Sequence, residues 1–153
     1  MALAVNAGDP RYQFRLARSL HRADRIEEAV TYNQQAGLQG HPLAQKNLGF
    51  AYANGLGVTR DYAKAAQWHH MAADQGDSDA QHNLGYLYAG GRGVGQDFIQ
   101  GHMWYNIAAA HSSTGAAGKR DTLAGRMTNR QIAEAERRAL AWFDLHGMSM
   151  PAR

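Results

Sequence analysis

The stretch from Ala44 to Trp68 returns, without a gap, 36 residues later. Ala44, Leu48-Gly49, Tyr52, Gly55, Gly57-Val58, Asp61, Trp68 and Ala72-Ala73 recur as Ala80, Leu84-Gly85, Tyr88, Gly91, Gly93-Val94, Asp97, Trp104 and Ala108-Ala109. Composition bias yields scattered coincidences, not a run of distinct residue types in order. A fixed period of this size marks stacked repeats, each burying its apolar face against its neighbours.

Each period reads as two helices. Apolar residues recur at helical spacing, and Gly55 and Gly57 stop the first helix and turn the chain. The spacing predicts helices over about Tyr12 to His21, on to about Ala36, Pro42 to Asn54, from the Asp61 cap onward, Ser78 to Ala89, Asp97 to Ala110, Ala116 to Gly125, and from the Thr128 cap to Leu145. Asp24 with Glu27, Asp97 with Gln100 and Thr128 with Gln131 read as capping boxes. Gly8, Asp9 and Pro10 read as breakers, Gly37 and Gly40 as the close of the second helix, and Ser112 to Thr114 as a turn. Leu43, Leu48 and Tyr52 are expected to face inward, as are Ala65, Trp68, Met71 and Ala72. Gly49 and Gly85 lie inside helices, where close approach of a partner helix is the natural compensation for their low propensity.

With 153 residues, 44% of them hydrophobic, the chain has material for one ordinary domain. The expected division is a flexible lead over 1–11, one repeat domain over 12–146, and a loose tail over 147–153. Within the domain lie a degenerate repeat at 12–40, full repeats at 41–76 and 77–112, and an altered closing repeat at 113–146. Absence of cysteine removes disulfides and thiolate chemistry. No run of about 18 apolar residues is present, so no membrane span is expected. The start lacks the pattern of a signal peptide, which favours the cytoplasm; a mature or excised chain is compatible with the periplasm. The net charge of +3 is scattered. Its one basic cluster, Arg11, Arg15, Arg18, Arg22 and Arg25, is offset by Asp24, Glu27 and Glu28, so nucleic-acid binding is not expected.

The pattern Ala-x-x-x-Leu-Gly-x-x-Tyr-x-x-Gly-x-Gly-Val-x-x-Asp-x-x-Lys-Ala-x-x-Trp, carried by Ala44 through Trp68, resembles the Sel-one-like repeat family, relatives of the tetratricopeptide repeats. The second copy departs from it at Gln100-Gly101, where Lys-Ala is usual. The resemblance extends over about Tyr12 to Leu145. It implies an all-α solenoid, a right-handed superhelix of about four antiparallel helix pairs. It also implies a non-enzymatic scaffold or adaptor that binds proteins or peptides on its concave face. The alternatives are a regulatory subunit or small-ligand-responsive module of an enzyme or envelope-signalling complex, and a structural spacer. A monomer is expected, with a dimer open.

Chemical motifs are sparse. Gly55-x-Gly57 and Gly91-x-Gly93 lack the preceding strand and following Gly-Lys-Ser/Thr of a phosphate loop. The adjacent His69-His70 cannot converge on one ion from a helix. No metal, cofactor or catalytic residue is therefore expected, and Asp61 and Asp97 read as caps rather than general bases. Phe50 and Tyr86 lie two residues after Leu48 and Leu84, about 200° round the helix and away from the seam. Lys46 and His82 sit one turn before them. By the resemblance these rows lie on the concave side, with Phe14, Arg18 and His21 continuing them in the first repeat. Lys46, Phe50, His82, Tyr86, Arg18 and His21 are thus the expected peptide-binding residues.

Overall fold

The computed structural model describes residues 7–111 and 113–149. Among them are eight helices and no strand: α1 Pro10–Arg22, α2 Ile26–Leu38, α3 Pro42–Asn54, α4 Tyr62–Asp74, α5 Ser78–Gly90, α6 Phe98–Ala110, α7 Ala116–Ala124 and α8 Asn129–Leu145. The protein is all-α, as its sequence period implies. Ser112 of the expected turn, residues 1–6 of the expected lead and 150–153 of the expected tail lie outside the described residues.

Two compact units divide between Asp77 and Ser78. In the first, α1 packs on α2, α2 on α3 and α3 on α4. In the second, α5 packs on α6, and α7 and α8 each pack on α6.

The helix ends follow local chemistry. Asp61 and Asp97 are extended residues whose side chains accept from Lys64 N and Gln100 N, each at 3.0 Å. Thr128 and Gln131 form the reciprocal box at 3.1 and 2.9 Å. Gly55 ends α3 in the left-handed conformation, φ 67°.

Three expectations are corrected. Pro10 does not break α1 but opens it, with Asp9 as the N-cap accepting from Arg11 N at 2.7 Å; a proline in the first turn forfeits no helical bond. Asp24 is not half of a capping box. It takes φ 60° in the three-residue turn between α1 and α2, and Arg25 is an N-cap without a side-chain bond; so tight a turn needs a residue tolerant of positive φ, and Asp is one. Gly37 lies within α2, buried against Leu48 and Trp68, while Gly40 at φ 88° turns the chain.

Small residues carry much of the core. Ala36, Ala44, Ala65, Ala72, Ala80 and Ala108 are fully buried beside Leu48 and Leu84. The helix glycines have the predicted compensation. A Cβ on Gly49 would stand 2.6 Å from the His69 ring, and one on Gly85 2.8 Å from Tyr105. In each repeat a ring of the second helix covers the backbone of the first. His69, 1% exposed, therefore fills the inner place expected of Met71, which is 41% exposed, and Leu43 also faces outward.

A buried polar ladder went unread in the sequence. Gln13, Gln45 and Gln81 are buried on α1, α3 and α5. Each accepts from the C-cap residue of its paired helix: Gln39 Nε2 at 2.9 Å, Gln75 Nε2 at 2.8 Å and His111 Nδ1 at 2.9 Å. These bonds satisfy groups whose burial would otherwise be costly.

Candidate functional site

The two expected rows have opposite fates. The row one turn before the aromatics is packed. Phe14 stacks on His41 at 4.5 Å. Lys46 Nζ lies 3.7 Å from Asp77 Oδ2. His82 Nδ1 meets Ser113 Oγ at 3.2 Å, with Tyr105 edge-on at 5.5 Å. The partners His41, Asp77 and Ser113 stand 36 residues apart, so one position in each repeat fastens its helix to the residue at the repeat's end. A ring stack, an ion pair and a hydrogen bond do the same work. Burial, then Lys119, lowers the His82 pKa against the opposing pull of Asp79. His82 is thus packed against Ser113 and Tyr105, and Lys46 lies against Asp77.

The other row is open. Arg18 is exposed, Phe50 is 53% exposed and Tyr86 45%. Each ring presents a rigid, partly apolar surface to solvent at the same place in consecutive repeats. The Arg92 guanidinium lies 5.3 Å from the Tyr86 ring centre.

In the first unit this row borders a cleft of about 270 Å³. Arg18, His21 and Arg22 of α1 line one side, and Asn47, Phe50 and Leu56 another; Ile26, Ala29, Val30 and Asn33 of α2 contribute, with Ala17 and Ala51. Three of the six expected residues, Arg18, His21 and Phe50, therefore meet here. Arg22, Asn33, Asn47 and Leu56 were missed. Arg22 was legible, lying one turn beyond Arg18 in the basic cluster. Asn33 carried no signal: it becomes relevant only because α2 packs on both α1 and α3. Its Oδ1 is buried without a hydrogen-bond partner.

The second unit holds a wider cleft of about 560 Å³, lined by His102, Asn106, Ala109, Ala110, Ala117, Arg120, Asp121, Ala124, Ile132 and Glu136. Arg120 donates to Asn106 Oδ1 and Asp121 Oδ1, each at 2.9 Å. His102 is 3% exposed, and its Nδ1 lacks a partner. Burial lowers its pKa first and Arg120 further, against Glu136 and Asp121. No group of three His, Asp or Glu side chains suited to a metal ion occurs among the described residues, and none of their helices is long and apolar enough to cross a membrane.

The family model of the Sel1 repeat matches residues 42–77 and 78–113, within one residue of the two full repeats read from the sequence. A crystal structure of a Sel1 repeat protein from Oxalobacter formigenes is 34% identical, with a TM-score of 0.72, over 80% of this chain and 96% of that one. The crystal structure of a protective antigen present in uropathogenic Escherichia coli strains, displaying an SLR fold, is 26% identical with a TM-score of 0.84. It aligns with 97% of this chain, which spans only 35% of that protein. No curated protein matches this chain.

Proposed function

We infer that this chain, which belongs to the Sel1 repeat family, is an adaptor that holds a segment of a partner protein on the exposed surface around Phe50. Members of the family are typically protein-interaction modules, and the fold is generally a non-catalytic scaffold. The observation that carries the inference is the placement of Phe50. A ring 53% exposed stands at the edge of a cleft that also gathers Arg18 and His21. A rigid ring beside a concave apolar surface is the form of a binding anchor. One turn before these rings, Lys46 and His82 are held by Asp77 and Ser113. Tyr86 gives the second unit an exposed ring of its own. On this reading the protein is not an enzyme.

The test compares wild type with Phe50→Ala in affinity isolation from native extracts, alongside thermal melting. Phe50→Ala is expected to keep the melting temperature and to lose a saturable partner, an anchor contributing about 2–4 kcal/mol. Lower stability with unchanged partner recovery would return Phe50 to a structural role.

One observation favours the small-ligand alternative. The second unit's cleft, about 560 Å³, falls in the range of about 300–1,000 Å³ usual for small-molecule sites. A metabolite that raises the melting temperature of wild type but not of Arg120→Ala would support that reading.

A further inference from the structure

The cleft of the first unit has a one-sided charge. Arg18 and Arg22 lie one helical turn apart on α1 with His21 beside them, all three exposed and all lining the cleft. Of the other arginines in the cluster, Arg11 pairs with Asp9 at 2.9 Å and Arg25 with Glu28 at 2.6 Å, while Arg15 is exposed and lies outside the cleft lining. Among the described residues, Arg18, His21 and Arg22 form no ion pair, and the one contact of Arg18's guanidinium is the Phe14 ring at 5.9 Å. No aspartate or glutamate lines the cleft; Asp24 and Glu27 stand outside its lining.

Beneath these cations the surface turns apolar, through Ala17, Ala29, Val30 and Ala51, with Phe50 and the 42%-exposed Leu56 at the edge. At about 270 Å³ the space falls just short of the roughly 300 Å³ at which small-molecule pockets begin, and it suits one large side chain. A nucleic acid would want a basic stripe and stacking rings in succession, whereas here two arginines, with His21 beside them, rim an apolar hollow.

We propose that the cleft between α1, α2 and α3 binds a short acidic segment of a partner protein, one bulky apolar side chain filling the hollow beside Phe50 while neighbouring carboxylates meet Arg18 and Arg22. The assignment presupposes the adaptor role inferred above. It gives the two ends of the cleft separate duties: the hollow sets affinity, and the unpaired cations select and steer an acidic sequence.

The test is selection of short random peptides displayed against the whole protein, followed by affinity measurement on wild type, Phe50→Ala, the Arg18→Glu/Arg22→Glu pair and the milder Arg18→Gln/Arg22→Gln pair. Thermal melting verifies that each variant folds. Selected peptides are expected to combine a Trp, Phe or Leu with adjacent Asp or Glu. Affinity is expected to fall about thirtyfold in Phe50→Ala, about tenfold in the Glu pair and less in the Gln pair. Added salt should weaken binding to wild type and hardly affect the Gln pair. Neutral or basic peptides that need Phe50 but ignore both arginine pairs would overturn the acidic assignment and leave the adaptor reading standing. Enrichment of nothing that depends on Phe50 would overturn both. A single-stranded oligonucleotide or anionic vesicle that binds more tightly than any peptide, and is released by the Glu pair, would also overturn the proposal.

Discussion

Acidification should loosen the first unit through His69. The ring is 1% exposed, lies over Gly49, and has no hydrogen-bond partner at Nδ1. Burial, and secondarily Lys46, push its pKa down to about 4 from an ordinary 6.5. The unfolded chain takes up a proton at about pH 6.5, whereas the native state resists until about pH 4. Between those values the unfolded state binds more protons, so native stability falls as pH falls. Above pH 6.5 the group exerts no penalty. A shift of this size corresponds to about 3 kcal/mol at its full extent near pH 4, a sizeable share of the 5–15 kcal/mol typical of a domain.

Burial also lowers the pKa values of His41, His82, His102 and His111, so they too contribute to the acid response. The informative quantity is therefore a difference between two proteins. His69→Tyr gives the first full repeat the ring that the second already holds at Tyr105, whose pKa is pushed up to about 12 and which stays uncharged in acid. Urea unfolding of both proteins at pH 7, 6, 5 and 4.5, followed by circular dichroism, gives the two slopes. Wild type is expected to lose about 2–3 kcal/mol more than His69→Tyr between pH 7 and pH 4.5. Parallel slopes would refute the reasoning, whatever the variant's absolute stability, because they would mean that His69 gains its proton as easily in the native state as in the unfolded one.

Gly49→Ala should destabilise by about 1–3 kcal/mol in thermal or chemical melts, since the new Cβ drives into the His69 ring. Gly118→Ala on α7, where a Cβ meets nothing within 4 Å, should instead stabilise by up to about 1 kcal/mol. Gln45→Leu removes the acceptor of Gln75 and the donor to Gly37 O, and urea titration should show a loss of about 1–3 kcal/mol. Thr128→Ala breaks the capping box of α8 and should cost about 1 kcal/mol, read as reduced helical content or a lower melting temperature.

The stack was legible because repeats report on one another. Leu48 and Leu84, Gly49 and Gly85, and Asp61 and Asp97 hold the same residue at the same place, and each proved to be a core side chain, a ring seat or a cap. What was lost lay at single-residue chemistry. Asp24 followed by Glu27 fits a capping pattern, but a three-residue turn needed its left-handed backbone instead. Adjacent in sequence, His69 and His70 part in the fold: His69 is buried and His70 exposed. Periodicity places both near the seam; the glycine opposite decides which of the two is swallowed.

The sequence placed both candidate rows on one helix face but could not tell which is packed, for a reason that bears on any helical repeat. Phe14, Lys46 and His82 differ in chemistry from repeat to repeat, and such variety at a surface position invites a ligand-binding reading. Here the variety is matched within the chain: an aromatic faces His41, a cation faces Asp77, and an imidazole faces Ser113. Each pair is complementary, so the position is fixed by its partner 27 or 31 residues on. In the next row, Arg18, Phe50 and Tyr86 vary as well, but Phe50 and Tyr86 remain about half exposed. Arg18 and Tyr86 make cation–π contacts with neighbours on or just beyond their own helix, Phe14 and Arg92. Variation answered by a complementary residue inside the fold stabilises the stack. Variation left facing water is the part of the repeat that remains available to a partner.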